Sequence, residues 1–442
     1  MTMRAILISS LFLGSTAVAQ PLSVAVEEGL RTNPGLAAET ARVEAAAEAI
    51  AAARAAGRPN VQLSGQSSYG TGTFDPGPDA EMALGQFFGP GGDGEMGPDI
   101  GELLGTDGGR VTSRAELAVT QPVFTGFRIL NGIREAEAAV AGARARLEGA
   151  RQGYAFRIVD AYLTVVSAEA EIRAVSKSTE SLTQAARAAQ ISFEAGQATR
   201  TDVAIAQSRL SAVQAQLAAA QARAIAARQN FAVLGGETIV QFDLPAMPLN
   251  VPVTADDALG LAMANHPELQ AVLSERNSAA AAVKGAKAGR SPQVQLRGSL
   301  SYADGQFFDD DRSENATIAA QVSVPLFEGG AIRSRVRAAE ADARAARFAQ
   351  SDAQRRVAAE VRSAWASHRA AEQSAVAAAA RLEAAELAWR GVQLEREVGQ
   401  RSVLDVLRVE EDLLAAQVAD INAKAGVVRA SWRLALATGT IS

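Results

Sequence analysis

Apolar positions along this chain keep two different periods and switch between them in a fixed order. From Ser23 to about Ala56 the pattern predicts a helix rich in Ala, Glu and Arg, broken only at Asn33-Pro34. Gly57-Arg58-Pro59 ends it, because proline cannot continue the hydrogen-bond ladder. The period then becomes two. Val61, Leu63, Gly65, Ser67 and Tyr69 alternate with Gln62, Ser64, Gln66 and Ser68, which predicts a strand with two unlike faces. A return strand is expected from about Arg114 to Phe124, alternating at Leu117, Val119 and Gln121. A very long helix follows, from about Arg128 to Phe193. Its seam carries Ile133, Val140, Leu147 and Tyr154 at heptad spacing, with Ala136, Ala143 and Ala150 beside them. Gly196 breaks this rod as a C-cap glycine does, and a helix from about Thr201 to Leu234 runs back.

The same order then repeats, which constrains the fold more than any single motif. Asn33-Pro34-Gly35-Leu36 returns as His266-Pro267-Glu268-Leu269, and Pro59-Asn60-Val61-Gln62-Leu63 returns as Pro292-Gln293-Val294-Gln295-Leu296. Tyr69 returns as Tyr302 at the same offset of 233 residues. The second hairpin is expected on Val294, Leu296, Gly298, Leu300 and Tyr302, paired with Ile318, Ala320, Val322 and Val324. Further on the offset becomes 203: Pro122-Val123-Phe124-Thr125-Gly126 returns as Pro325-Leu326-Phe327-Glu328-Gly329, and Gly196 and Asp202 return as Gly399 and Asp405. The change of offset comes from the loops inside the hairpins. Thr71 to Gly109 is long and heavy in Gly, Pro and Asp, and reads as a solvated loop, whereas its counterpart around Asp309-Asp310-Asp311 is short and acidic. The second rod is expected from about Ile332 to Val398, and its return helix from about Ser402 to Ala437. Roughly 65 residues of helix span roughly 100 Å, too long for a compact domain of this size.

Residues 1–19 read as a signal peptide, with Arg4 before the apolar stretch Ala5 to Gly14 and the small residues Ala17-Val18-Ala19 at the cleavage site. Domains are therefore expected at 20–238 and 254–442, joined by a proline-containing linker at 239–253. No run beyond the leader is apolar enough for a transmembrane helix, so a membrane-spanning part would have to be built of strands. The chain has no cysteine, which excludes disulfides and a lipid-bearing cysteine. A net charge of −6 gives no nucleic-acid footprint. Abundant alanine and few aromatics suit long, closely packed helices.

Four strands cannot close a barrel, and open edges cannot face lipid because their N–H and C=O groups would stay unsatisfied. The strands are therefore expected to be completed by other copies, three of which would supply 12. An ordinary porin would need many more strands per chain. A soluble, secreted coiled-coil scaffold would explain the heptads but not the duplicated hairpins.

The duplicated order of Asn33-Pro34 and His266-Pro267, of the Pro-x-Phe-x-Gly entries at Pro122 and Pro325, and of the turns at Phe193-Glu194-Ala195-Gly196 and Val398-Gly399-Gln400-Arg401-Ser402 resembles the TolC-like outer-membrane efflux protein family over nearly the whole mature chain. The resemblance implies a mostly α fold with a small β part. It implies a homotrimeric duct whose 12-stranded barrel sits in the outer membrane and whose α-helical barrel descends through the periplasm. Its partners would be a periplasmic adaptor, an inner-membrane pump and outer-membrane lipid. The cargo would be small molecules or drugs, with protein export by type I secretion as the alternative.

The resemblance also assigns sites. Thr201, Asp202, Arg401 and Asp405 match positions that close the periplasmic gate, whereas Arg396 and Arg408 stand where the family pattern has Tyr and Asp. Asp202 is expected to pair with Arg396 or Arg401, and Arg408 to offset a ring of Asp405 carboxylates. Gly196 and Gly399 are expected at an adaptor-docking tip. Pro122, Phe124, Gly126, Pro325, Phe327 and Gly329 are expected where barrel becomes helix, with Tyr69 and Tyr302 at the other aromatic belt. No enzyme is expected: only two histidines occur, His266 and His368, far apart, and no nucleophile elbow is present. No cofactor or metal is expected, since the acidic run at Asp309 lacks the spacing of a calcium loop.

Overall fold

The computed structural model describes residues 21–72, 108–235, 242–245, 251–304, 312–398 and 400–441. The expected leader, most of the loop from Thr71 to Gly109, the Asp309 run, most of the expected linker and Gly399 lie outside the described residues. The elements run α1 (Pro21–Thr32), α2 (Pro34–Ala55), β1 (Asn60–Gly72), β2 (Gly108–Phe124), α3 (Arg128–Glu194) and α4 (Arg200–Gly235). The second half adds α5 (Ala255–Asn265), α6 (Pro267–Ala288), β3 (Gln293–Asp304), β4 (Arg312–Ser323), α7 (Ala331–Glu397) and α8 (Val403–Thr438). The two rods, α3 and α7, have 67 residues each, and both return helices have 36. The fold is mostly α with a small β part, as the periodicity predicts.

The breaks at Asn33-Pro34 and His266-Pro267 share one physical cause. Asn33 Oδ1 accepts the N–H of Leu36 at 2.9 Å, and His266 Nδ1 accepts the N–H of Glu268 at 3.2 Å. Each therefore caps the next helix, and the proline that follows fits the first helical position, where an N–H would go unused.

The chain divides into two compact units. One holds the described residues up to Glu44, Ala141–Ser274 and Phe348 onward; the other holds Ala45–Val140 and Glu275–Arg347. The first is helical. Along α3 the residues Leu147, Tyr154, Ala168, Val175, Leu182 and Ala189 are buried, so the heptad seam continues far past the four positions that announce it. Toward the middle of α3, Tyr162 packs with Phe231 of α4 and with Phe242, ring centroids 5.9 and 5.2 Å away. Its hydroxyl accepts the N–H of Asp243 at 3.0 Å. Nearer the turns, Val175, Leu182 and Ala189 of α3 cluster with Val203, Ala206 and Val213 of α4 and with Leu407 and Leu414 of α8. A third cluster joins Ala258 and Ala262 of α5 to Val357 and Val361 of α7 and Leu434 of α8. Burying each large side chain stabilises by about 1.5–3 kcal/mol. Ion pairs flank the seams, including Arg228–Glu169 and Arg223–Glu171, both at 2.6 Å.

The second unit carries one antiparallel sheet, ordered β1-β2-β3-β4. The strands are 13, 17, 12 and 12 residues long. The first hairpin reaches further than its side-chain pattern shows, because Thr71↔Gly109 and Gly72↔Gly108 still pair. Backbone pairing needs no side-chain alternation, so glycine there hides a strand inside what reads as loop. At the other end a register shift between Pro122 and Phe124 absorbs a proline that has no N–H for the ladder.

Candidate functional site

Opposed residues in an antiparallel ladder share a face, so the register sorts the sheet. One face holds Val61↔Val119, Leu63↔Leu117 and Tyr69↔Val111 in the first hairpin. It continues through Leu117↔Leu300, Ala115↔Tyr302 and Gln121↔Leu296 into Gly298↔Ile318 and Val294↔Val322. Ile318 is 90% exposed, and Leu63 and Tyr69 are also open. The other face holds Gln62, Ser64, Gln66 and Ser68 with Thr120, Glu116, Arg114 and Thr112. It extends to Arg297, Ser299 and Ser301, then Thr317 and Asn315. On that face Glu116 lies 3.4 Å from Arg297 and 3.7 Å from Arg114. A broad apolar surface backed by a polar one is what a strand needs between lipid and a water-filled lumen.

Where the sheet meets the rods, both repeats turn the chain through left-handed backbone. Gly126 has φ +61°, and a Cβ there would come within 2.2 Å of Ser291 Cβ. Gly329 and Gly330, at +58° and +89°, do the same in the second repeat. Phe127, the counterpart of Gly330, adopts φ +66° despite its side chain. Its ring is 64% exposed and meets Phe124 edge-on at 5.9 Å. The expected junction residue Phe124 is partnered, whereas Phe327 is almost fully exposed. Phe127 is a functional candidate that sequence reading missed, because a phenylalanine carries no signal of left-handed backbone.

At the far end of α3, Gly196 has φ +73° and donates to Phe193 O at 2.9 Å, while Gln197 N–H donates to Ser192 O at 2.8 Å. This is a Schellman cap. The second turn repeats its long bond, Gln400 N–H to Glu395 O at 2.8 Å. The return helices start alike. Asp202 Oδ2 accepts from Thr199 N–H and hydroxyl, both at 2.8 Å, while Thr199 Oγ1 accepts Asp202 N–H. Asp405 and Ser402 form the same reciprocal box. These hydrogen bonds hold both carboxyls below the usual aspartate range, with Arg401 and Arg408 adding a further pull on Asp405. Apolar side chains stand open around the turns: Ile191 and its counterpart Leu394, with Phe193 and Val398.

The profile of outer membrane efflux proteins matches residues 25–237 and again 258–440. The chain belongs to the outer membrane efflux protein family. The outer membrane efflux protein BepC of Brucella suis biovar 1 (strain 1330) is 29% identical over 334 residues, covering 75% of this chain and 73% of BepC. The outer-membrane channel OprN aligns with a TM-score of 0.77 at 22% identity, over 95% of this chain and 90% of that one. VceC of Vibrio cholerae aligns at 0.76 and 20% identity, over 95% and 96%. The TolC-like fold expected from the duplicated motifs is therefore the fold of this efflux protein.

The positions carried over by resemblance fall around its two turns, and among the described residues of one copy Asp202 makes no pair with Arg396 or Arg401. Asp202 is occupied by Thr199, and Arg401 Nε lies 2.7 Å from Glu395 Oε2. The physical reason is proximity in sequence: a carboxylate three residues after a Thr or Ser satisfies orphan helix N–H groups with little loss of chain entropy. Thr201 is exposed in the first turn of α4, and Arg408 is exposed on α8. A second polar contact, unmarked in sequence, lies further along. The buried Glu410 of α8 accepts from Ser181 of α3 at 3.0 Å and from the Trp389 indole of α7, tying three helices together.

Proposed function

We propose that three copies of this chain assemble into an exit duct of the bacterial outer membrane that passively conducts substrates delivered by an inner-membrane pump and a periplasmic adaptor. The observation that carries this reading is the four-stranded sheet with one apolar face, one polar face and, among the described residues, unpaired outer edges on β1 and β4. Pairing β1 of one copy with β4 of the next removes every edge and turns the apolar face to lipid. Three copies close 12 strands. The repeats at 20–238 and 254–442 would each supply a hairpin and a rod. Exposed Val376 and Leu387 along α7 support lateral packing against another copy.

The turns at Gly196 and Gly399 would form the adaptor-docking tip, where open apolar side chains await a partner. Thr201, Asp202, Arg396, Arg401, Asp405 and Arg408 would line the gate above it. The cargo class that fits membership in an efflux family is small toxic molecules. Protein export by type I secretion is the second reading, since cargo choice lies mainly in the pump. The duct itself performs no reaction. A secreted coiled-coil scaffold fits poorly, because it would leave the apolar sheet face in water.

The decisive experiment is the native mass of protein extracted by detergent from the outer-membrane fraction. A trimer supports the duct. A monomer or dimer in the soluble periplasm would overturn it.

A further inference from the structure

Between the start of α3 and the end of α6 lies a groove of about 510 Å³ lined by Phe127, Leu130, Arg134, Lys284, Lys287 and Ser291. It joins three cations to an exposed aromatic ring. Lys287 pairs with Glu340 at 2.9 Å, whereas Arg134 and Lys284 form no ion pair among the described residues. Phe127 reaches the groove through left-handed backbone, where the matching position of the second repeat is Gly330. A side chain kept where glycine would be easier is an outlier that calls for a function. Phe127 also touches Phe124, and Phe124↔Val294 and Val294↔Val322 place Phe124 on the apolar face of the sheet. The apolar surface therefore passes without a gap into a cationic one. Acyl chains along the sheet and a phosphate among Arg134, Lys284 and Lys287 would match both in chemistry and in order. The groove lies where the inner strand β2 leads into α3 and α6 leads into the inner strand β3, away from the β1 and β4 edges at which copies would add.

We propose that this groove binds the anionic headgroup of a phospholipid of the periplasmic leaflet and so fixes the height of the barrel in the membrane. This rests on the reading of the sheet as a membrane barrel.

The test uses the full-length trimer, stripped of lipid and titrated in detergent with phosphatidylglycerol, phosphatidylcholine or inorganic phosphate, with bound ligand counted by native mass spectrometry. The wild type should prefer phosphatidylglycerol to phosphatidylcholine by about fivefold or more, and phosphate alone should not bind. The double variant Arg134→Glu with Lys284→Glu should lose that preference while keeping its trimer mass. Phe127→Gly, which suits the backbone, should melt no lower yet retain less of either lipid. Equal retention by the wild type and the charge-reversed variant would overturn the proposal, as would phosphate binding as strongly as lipid. A wild-type trimer in the outer membrane with no lipid preference sinks this inference alone. A wild type absent from that membrane sinks the barrel with it.

Discussion

Phe127 and Gly330 occupy one position of the repeat and adopt the same hand of backbone, at +66° and +89°. Left-handed backbone costs a residue with a side chain roughly 1–2 kcal/mol. Phe127→Gly is therefore expected to leave thermal stability unchanged or slightly raised, and a clear fall in melting temperature would show that ring packing outweighs strain. His266 is the second residue whose identity matters. Its Nδ1 can accept the Glu268 N–H only while the ring is neutral. Burial holds its pKa below the usual histidine range, partly opposed by Glu268 and Glu360. The folded chain thus takes up this proton less readily than the unfolded chain. Stability from this group is full above the ordinary histidine value of about 6.5 and falls as pH drops below it. His266→Asn, which imitates Asn33, should keep the cap and remove this acid sensitivity in melting curves recorded from neutral to mildly acid pH. His266→Ala should cost about 1 kcal/mol at neutral pH.

At the scale of elements, helices and strands were legible because their periods are long and clean. The seam at Val140, Leu147 and Tyr154 is buried as heptad spacing requires, and the breaks at Pro34 and Pro267 fall where proline demands. What sequence could not separate was capping from gating. Asp202 and Asp405 carry the charge of a gate and the spacing of an N-cap, and the local bond forms within the chain. Thr199→Ala and Ser402→Ala should each destabilise their return helix by about 1 kcal/mol, seen as faster amide exchange in the first turns of α4 and α8. Protection equal to wild type would mean that the box contributes nothing. Both aspartates have depressed pKa values, so their contribution holds above the ordinary carboxylate range and disappears as pH falls through the lowered values.

For the whole molecule, the questions are closure and charge. Arg408 lies near enough to Asp405 to depress its pKa, so three copies would place cations beside the acidic ring. Arg408→Ala should shift single-channel ion selectivity toward cations in a bilayer recording. Unchanged selectivity would remove Arg408 from the conduction path. A proline placed in β1 at a position whose N–H points away from β2 should reduce trimer recovery from the outer membrane, because an edge that recruits another strand needs its N–H groups.

The duplicated order, the period of each element and the residues at which helices stop are all legible along the chain, since these follow from local sterics and hydrogen bonding. It takes the folded chain to show which side chains share a face of the sheet and that Arg134 and Lys284 line one groove from two helices. Those facts depend on residues distant in the chain being brought together, and no local period encodes such a meeting.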